Sequence, residues 1–152
     1  MKKLTLLLGA FAVALTLVAA GMAGSPATKI DLPDESFTDL NPCTGATVTI
    51  TYHYTTFVIR EGSDGAGGLH VTGTGTGTAT TSDGFSGRFT FWFGVNARPD
   101  GSFSDKFTNS NTLADGSGAR ILVTLTAQIV MANGELRVEH EQVNFTCVGK
   151  EA

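Results

Sequence analysis

The chain has 152 residues, a formal net charge of -4 and only 16% charged side chains. No basic excess is available for a nucleic acid or an anionic membrane surface. With 41% hydrophobic residues, among them Phe 10, the composition also excludes a disordered chain.

Met1-Lys2-Lys3 leads into an apolar run from Leu4 to Ala20, and the small residues Gly21, Ala23 and Gly24 follow. A basic start, an apolar centre and a small-residue exit predict a secretory signal peptide over residues 1–23, with Ala20 or Ala23 the last residue removed. The run is short for a membrane span and lacks a cytoplasmic-type flank. Loss of Lys2 and Lys3 would take the charge from -4 to about -6. The expected location is secreted or periplasmic, with no membrane association after cleavage. About 130 residues then remain, enough for one domain with a core of its own.

Residues 24–42 read as an acidic, proline-containing leader, with Phe37 and Leu40 pinned to the mouth of the following domain. Residues 43–152 alternate apolar and polar positions. Six strands are predicted, at 47–60, 69–81, 88–98, 102–113, 119–132 and 135–148. Between them stand Ser63 to Gly68, Asp83-Gly84, Pro99-Asp100-Gly101, Asp115-Gly116-Ser117-Gly118 and Asn133-Gly134. Asn-Gly between alternating runs is the strongest hairpin signal of the set.

The alternation assigns faces. Tyr52, Tyr54 and Val58 share one face of the first strand, and Phe89, Phe91 and Phe93 one face of the third. On the second strand Gly73, Gly75 and Gly77 lie inward and Thr72 to Thr80 outward. A turn centred on Gly84 sets Gly75 opposite Phe93 and Gly77 opposite Phe91. Rings then fill the volume that glycines leave in a tightly bent sheet. Cys43 and Cys147, the only cysteines, bracket the six strands and fall at one end of an up-and-down meander. The fold class predicted is all-β: a single six-stranded antiparallel up-and-down barrel, with a seventh strand available from the leader, closed by a Cys43–Cys147 disulfide. A transmembrane barrel needs an apolar outside, whereas this outer face carries threonines, Arg88, Lys106 and Arg120.

Asp34-Glu35-Ser36-Phe37, then Asn41-Pro42-Cys43-Thr44-Gly45, with Gly67-Gly68-Leu69-His70 later, resembles a group of small exported bacterial proteins of unknown function. The resemblance implies an exported β-sheet domain and brings no activity, cofactor or site residue. The outline is also similar to lipocalin, avidin and allene oxide cyclase-like barrels, in shape alone.

The inward polar residues form the candidate site. Simple registers place Asp105 and His140 on either side of Ala127, with Tyr54 beyond and with Asn109, Asn111, Gln142 and Asn144 on the same face. A carboxylate beside an imidazole could shuttle protons. A satisfied polar network that fixes register explains the same residues more simply. The reading adopted is a non-catalytic module holding a small, partly apolar ligand at Tyr54, Asp105, His140, Asn109 and Gln142. The alternative is a structural or surface-interaction domain with a filled core; an enzyme using Asp105, His140 and Tyr54 ranks third. The parity of Val143 and Phe145 conflicts with that of Val138 and His140, which a bulge would explain. No cofactor or metal is expected, since no metal-ligand spacing occurs. Trp92, outward by parity, is the candidate surface contact for a carbohydrate or a partner. The outer threonines are ordinary solvent-facing strand residues.

Overall fold

The computed structural model describes residues 26–63 and 66–149. The signal-peptide reading therefore falls outside the described residues. The described residues form eight strands: β1 (Thr28–Lys29), β2 (Glu35–Leu40), β3 (Thr47–Ser63), β4 (Leu69–Thr81), β5 (Ser86–Ala97), β6 (Phe103–Ala114), β7 (Arg120–Ala132) and β8 (Glu135–Val148). All belong to one antiparallel sheet in which β3 to β8 follow one another as a meander. Among the described residues, no helix is long and apolar enough to cross a membrane.

Three of the hairpins share one loop design. Gly84 N–H donates to Thr81 O, Gly101 N–H to Arg98 O and Gly118 N–H to Asp115 O, and the carbonyls of Phe85, Ser102 and Ala119 accept from Thr81, Arg98 and Asp115 N–H. Each glycine has a positive φ, which only the last loop position requires. Because these loops recur evenly, at 81, 98 and 115, the strands between them match in length and the rims stay level. The fourth hairpin turns on Asn133 and Gly134, both at positive φ, the backbone that matches the twist of two paired strands.

The glycine–phenylalanine packing is present, one pair further along than the sequence suggested. Gly73 pairs with Phe93, Gly75 with Phe91 and Gly77 with Phe89. A Cβ on Gly73 or on Gly75 would lie 2.1 Å from the ring opposite, so these rings rest directly on backbone. The expected register centred the turn on Gly84; the glycine is the last residue of its loop, so the centre is Asp83.

Phe89 has an almost fully enclosed side chain, with Ala79, Leu113 and Ile121 around it. A second cluster, Phe57, Ile59, Val71 and Phe93, fills the other end of the curl. Tyr52 and Tyr54 meet Phe89 edge-on, at 4.7 and 5.4 Å between ring centroids. Val58 was expected inward with Tyr54, but a bulge at Thr55 shifts the register and turns Phe57 and Ile59 inward instead.

Cys43 and Cys147 are bonded, with Cα atoms 5.7 Å apart. The sheet nevertheless does not close into a barrel, and the six-strand count needs correcting to eight. The edge of β3 that closure would offer to β8 is occupied: β2 pairs with it from Thr47 to Tyr52, and β1 at Val58 and Ile59. The leader is thus sheet rather than an exposed tether. Phe37 stacks on Tyr52 at 5.7 Å, while Leu40 stays exposed.

Asn41 anchors the disulfide loop. Its Nδ2 donates to Asp83 Oδ2 at 2.7 Å, and its Oδ1 accepts from Cys43 N–H at 2.8 Å. Its carbonyl accepts from Gly45 N–H, and Gly45 has a positive φ. Each polar group of this buried asparagine is used, which gives the Asn-Pro-Cys-Thr-Gly stretch a structural task.

Candidate functional site

The inward polar row is only partly assembled. Val95 stands opposite Asp105 as expected, but Asp105 meets Ile129 on β7, not Ala127. The loop before β7 is centred on Ser117, because Gly118 supplies the positive φ. On β8 the register shifts between Val130 and Met131, leaving Arg137 without a partner in the ladder. Every later residue of β8 then changes face. His140 pairs with Gln128 and Gln142 with Thr126, both on the outer side, while Glu139 and Glu141 take the inner side. Asp105 and His140 therefore face opposite ways, and the paired site with Tyr54 does not form.

Tyr54, Asn109 and Asp105 do face inward. The Tyr54 hydroxyl donates to Glu35 Oε2 at 2.9 Å, tying β2 to β3. Tyr52 donates to Asn111 Oδ1 at 3.3 Å, and Asn111 Nδ2 donates to Asn109 Oδ1 at 3.2 Å. Burial pushes both tyrosine hydroxyls upward, and the Glu35 carboxylate adds to this at Tyr54, so both act as neutral donors. Asn111 is buried, and its bonds fix β6 against β3 across the curl. These contacts are what a register-setting network requires. The alternation places Asn111 on the inward face with Asn109, where it lies; nothing in the sequence marked Glu35 as the partner of Tyr54.

Asp105 differs from its neighbours. It is 8% exposed, and its Oδ1 is buried with no hydrogen-bond partner among the described residues. Burial raises its pKa from 3.8 to about 6, only partly offset by the Lys106 amide. Among the described residues, no group of three or more His, Cys, Asp or Glu side chains gathers as a metal site.

The outer face carries a recess. The register aligns Thr56, Thr76, Thr90, Ser110 and Thr124 across five strands, and beside them Thr74, Trp92 and Thr108. Trp92 folds along β5 over Gly94, where a Cβ would sit 2.6 Å from the indole. The short hydroxyl side chains leave a shallow trough of ≈ 280 Å³ next to the indole, floored by Gly75, Phe91 and Asn109. An aromatic flank, a floor of backbone and a ring of hydroxyls offer one apolar face and many hydrogen-bonding groups.

No family model matches this chain, and neither does any curated protein or solved structure.

Proposed function

We propose that this chain is a non-catalytic, extracytoplasmic binding module whose outer trough holds a sugar against Trp92. The observation that carries the reading is the half-buried indole over Gly94 beside the hydroxyls of Thr74, Thr90, Thr108 and Ser110. Pyranose rings present an apolar face of C–H bonds rimmed by hydroxyls, and such a trough complements both. The residues that line the trough carry no charge, which suits a neutral glycan. The packed aromatic interior supports a surface contact rather than an enclosed ligand.

The chain contains Trp 1, so its intrinsic tryptophan emission reports on this trough alone. Titration with cello-, chito- and malto-oligosaccharides should shift or quench that emission, and Trp92→Ala should abolish retention on the matching insoluble polysaccharide. Unchanged emission with all three, together with no retention, would remove the proposal.

Asp105 favours a second reading. Asp105 stands between Val95 and Ile129 in the ladder, so a small, partly apolar ligand with one hydrogen-bond donor would satisfy its free oxygen from the inside. Native mass spectrometry of protein purified from its own host separates the two readings.

A further inference from the structure

We infer that the open seam between β2 and β8 receives an extended peptide strand that runs antiparallel to both and completes the barrel. The inference is independent of the sugar reading. The meander alternates direction at every step, so β2 and β8 run the same way. Both end at the rim where Cys43 and Cys147 are bonded. Away from that rim, no Cα of β2 or β3 lies within 8 Å of one in β8. Paired strands lie about 4.8 Å apart, so one inserted strand needs flanks roughly 10 Å apart. Two edges running in parallel can each pair with one antiparallel strand between them. They cannot form an antiparallel pair with each other.

β8 is made as a docking edge rather than a guarded one. Among the described residues it pairs with β7 alone, and it is exposed along all 14 residues. Natural edges are blunted by charges, prolines or bulges. Here the bulge and the charged residues sit in the first half, while Val143 to Val148 carries no charge and no proline. Val143 and Phe145, which face inward, are 47% and 55% exposed, unlike the inward residues of β4 to β7 near them.

Charge sets the chemistry of the partner. The inward side chains of β8 read Glu139, Glu141, Val143, Phe145, with Asp105 two strands behind Glu139. An antiparallel strand opposite them needs two apolar residues followed, at alternate positions, by two lysines or arginines. Its other face meets Gln142, Asn144 and Thr146 and is polar. Main-chain hydrogen bonds would hold the strand, and alternate side chains would select it. A second copy of this chain is a poorer occupant. Self-pairing centred on Glu141, near the middle of β8, sets the Glu141 side chains of both copies directly opposite, and like charges oppose such pairing.

The probe is a synthetic peptide that alternates threonine with, in order, valine, valine, lysine and lysine. Binding is followed by calorimetry and by hydrogen exchange of the disulfide-bonded protein. The peptide should slow exchange in both β2 and β8. The same peptide in reverse order should bind about tenfold more weakly. The exposed substitutions Glu139→Lys and Glu141→Lys should together cause a similar loss, and a peptide with glutamates for lysines should recover it. Equal binding of the reversed peptide, no binding of either, or protection of β8 that grows with protein concentration alone would each overturn the inference. Trp92→Ala should leave peptide binding unchanged, so failure of the sugar reading and failure of this one are distinguishable.

Discussion

Asp105 is the carboxyl group that burial pushes well above its ordinary range. Unfolded, its carboxyl ionises near the ordinary 3.8; folded, it does so at about 6. Between those values the native state holds more protons than the unfolded chain. Stability is therefore full below the unfolded pKa and falls as pH rises through the window to about 6, then levels off. The loss is on the order of 1–3 kcal/mol. Asp105→Asn keeps the shape and removes the charge. Urea denaturation at several pH values should show the parent losing stability across this window while the variant stays flat, with the variant the more stable at neutral pH. A parent whose midpoint rises over the same range would show that the carboxylate has found a partner.

At the scale of the element, two unpaired residues decide which side chains meet. Thr55 in β3 and Arg137 in β8 have no ladder partner, and past each the strand shows its other face. Deleting either removes the extra residue and keeps the remaining register, so the Cys43–Cys147 bond should still form, at a cost of about 1 kcal/mol from altered twist. Deleting Gln142, which has a partner in Thr126, should instead turn Phe145 and Cys147 outward, leaving both thiols free in non-reducing peptide mapping. The same two residues explain what the sequence could and could not reveal. Strand positions, turns and the inward side of Phe89 to Phe93 follow from alternation and from glycine, asparagine and aspartate chemistry. Val95 opposite Asp105 followed because the loop between them centres on Asp100. The face of His140 did not, since no residue type marks Arg137 as unpaired; only the parity conflict at Val143 and Phe145 signalled it. Loop centres displaced from Gly84 and Gly116 moved two further registers by one pair without changing a face. Trp92 was legible as outward, while the trough beside it depends on four strands in register and could not be read locally.

At the scale of the whole molecule, one covalent bond does what a ring of ladder hydrogen bonds does in a closed barrel. β2 occupies the edge that β8 would need, so among the described residues the far strand is attached through β7 and through Cys147 alone. A bond spanning a sequence separation of 104 removes much freedom from the unfolded chain, roughly 4–5 kcal/mol in the chain-entropy model. Its effect on the native state is local, because the aromatic core lies between β3, β5 and β6 and does not depend on β8. Paired replacement Cys43→Ser with Cys147→Ser should therefore lower global stability by about that amount. It should also detach β8 first. Native-state hydrogen exchange should find β8 amides opening well below the global unfolding free energy, while those of β4 and β5 exchange only with it. In a sheet closed by hydrogen bonds, all six long strands would lose protection together, so uniform exchange in the double variant would contradict the open architecture.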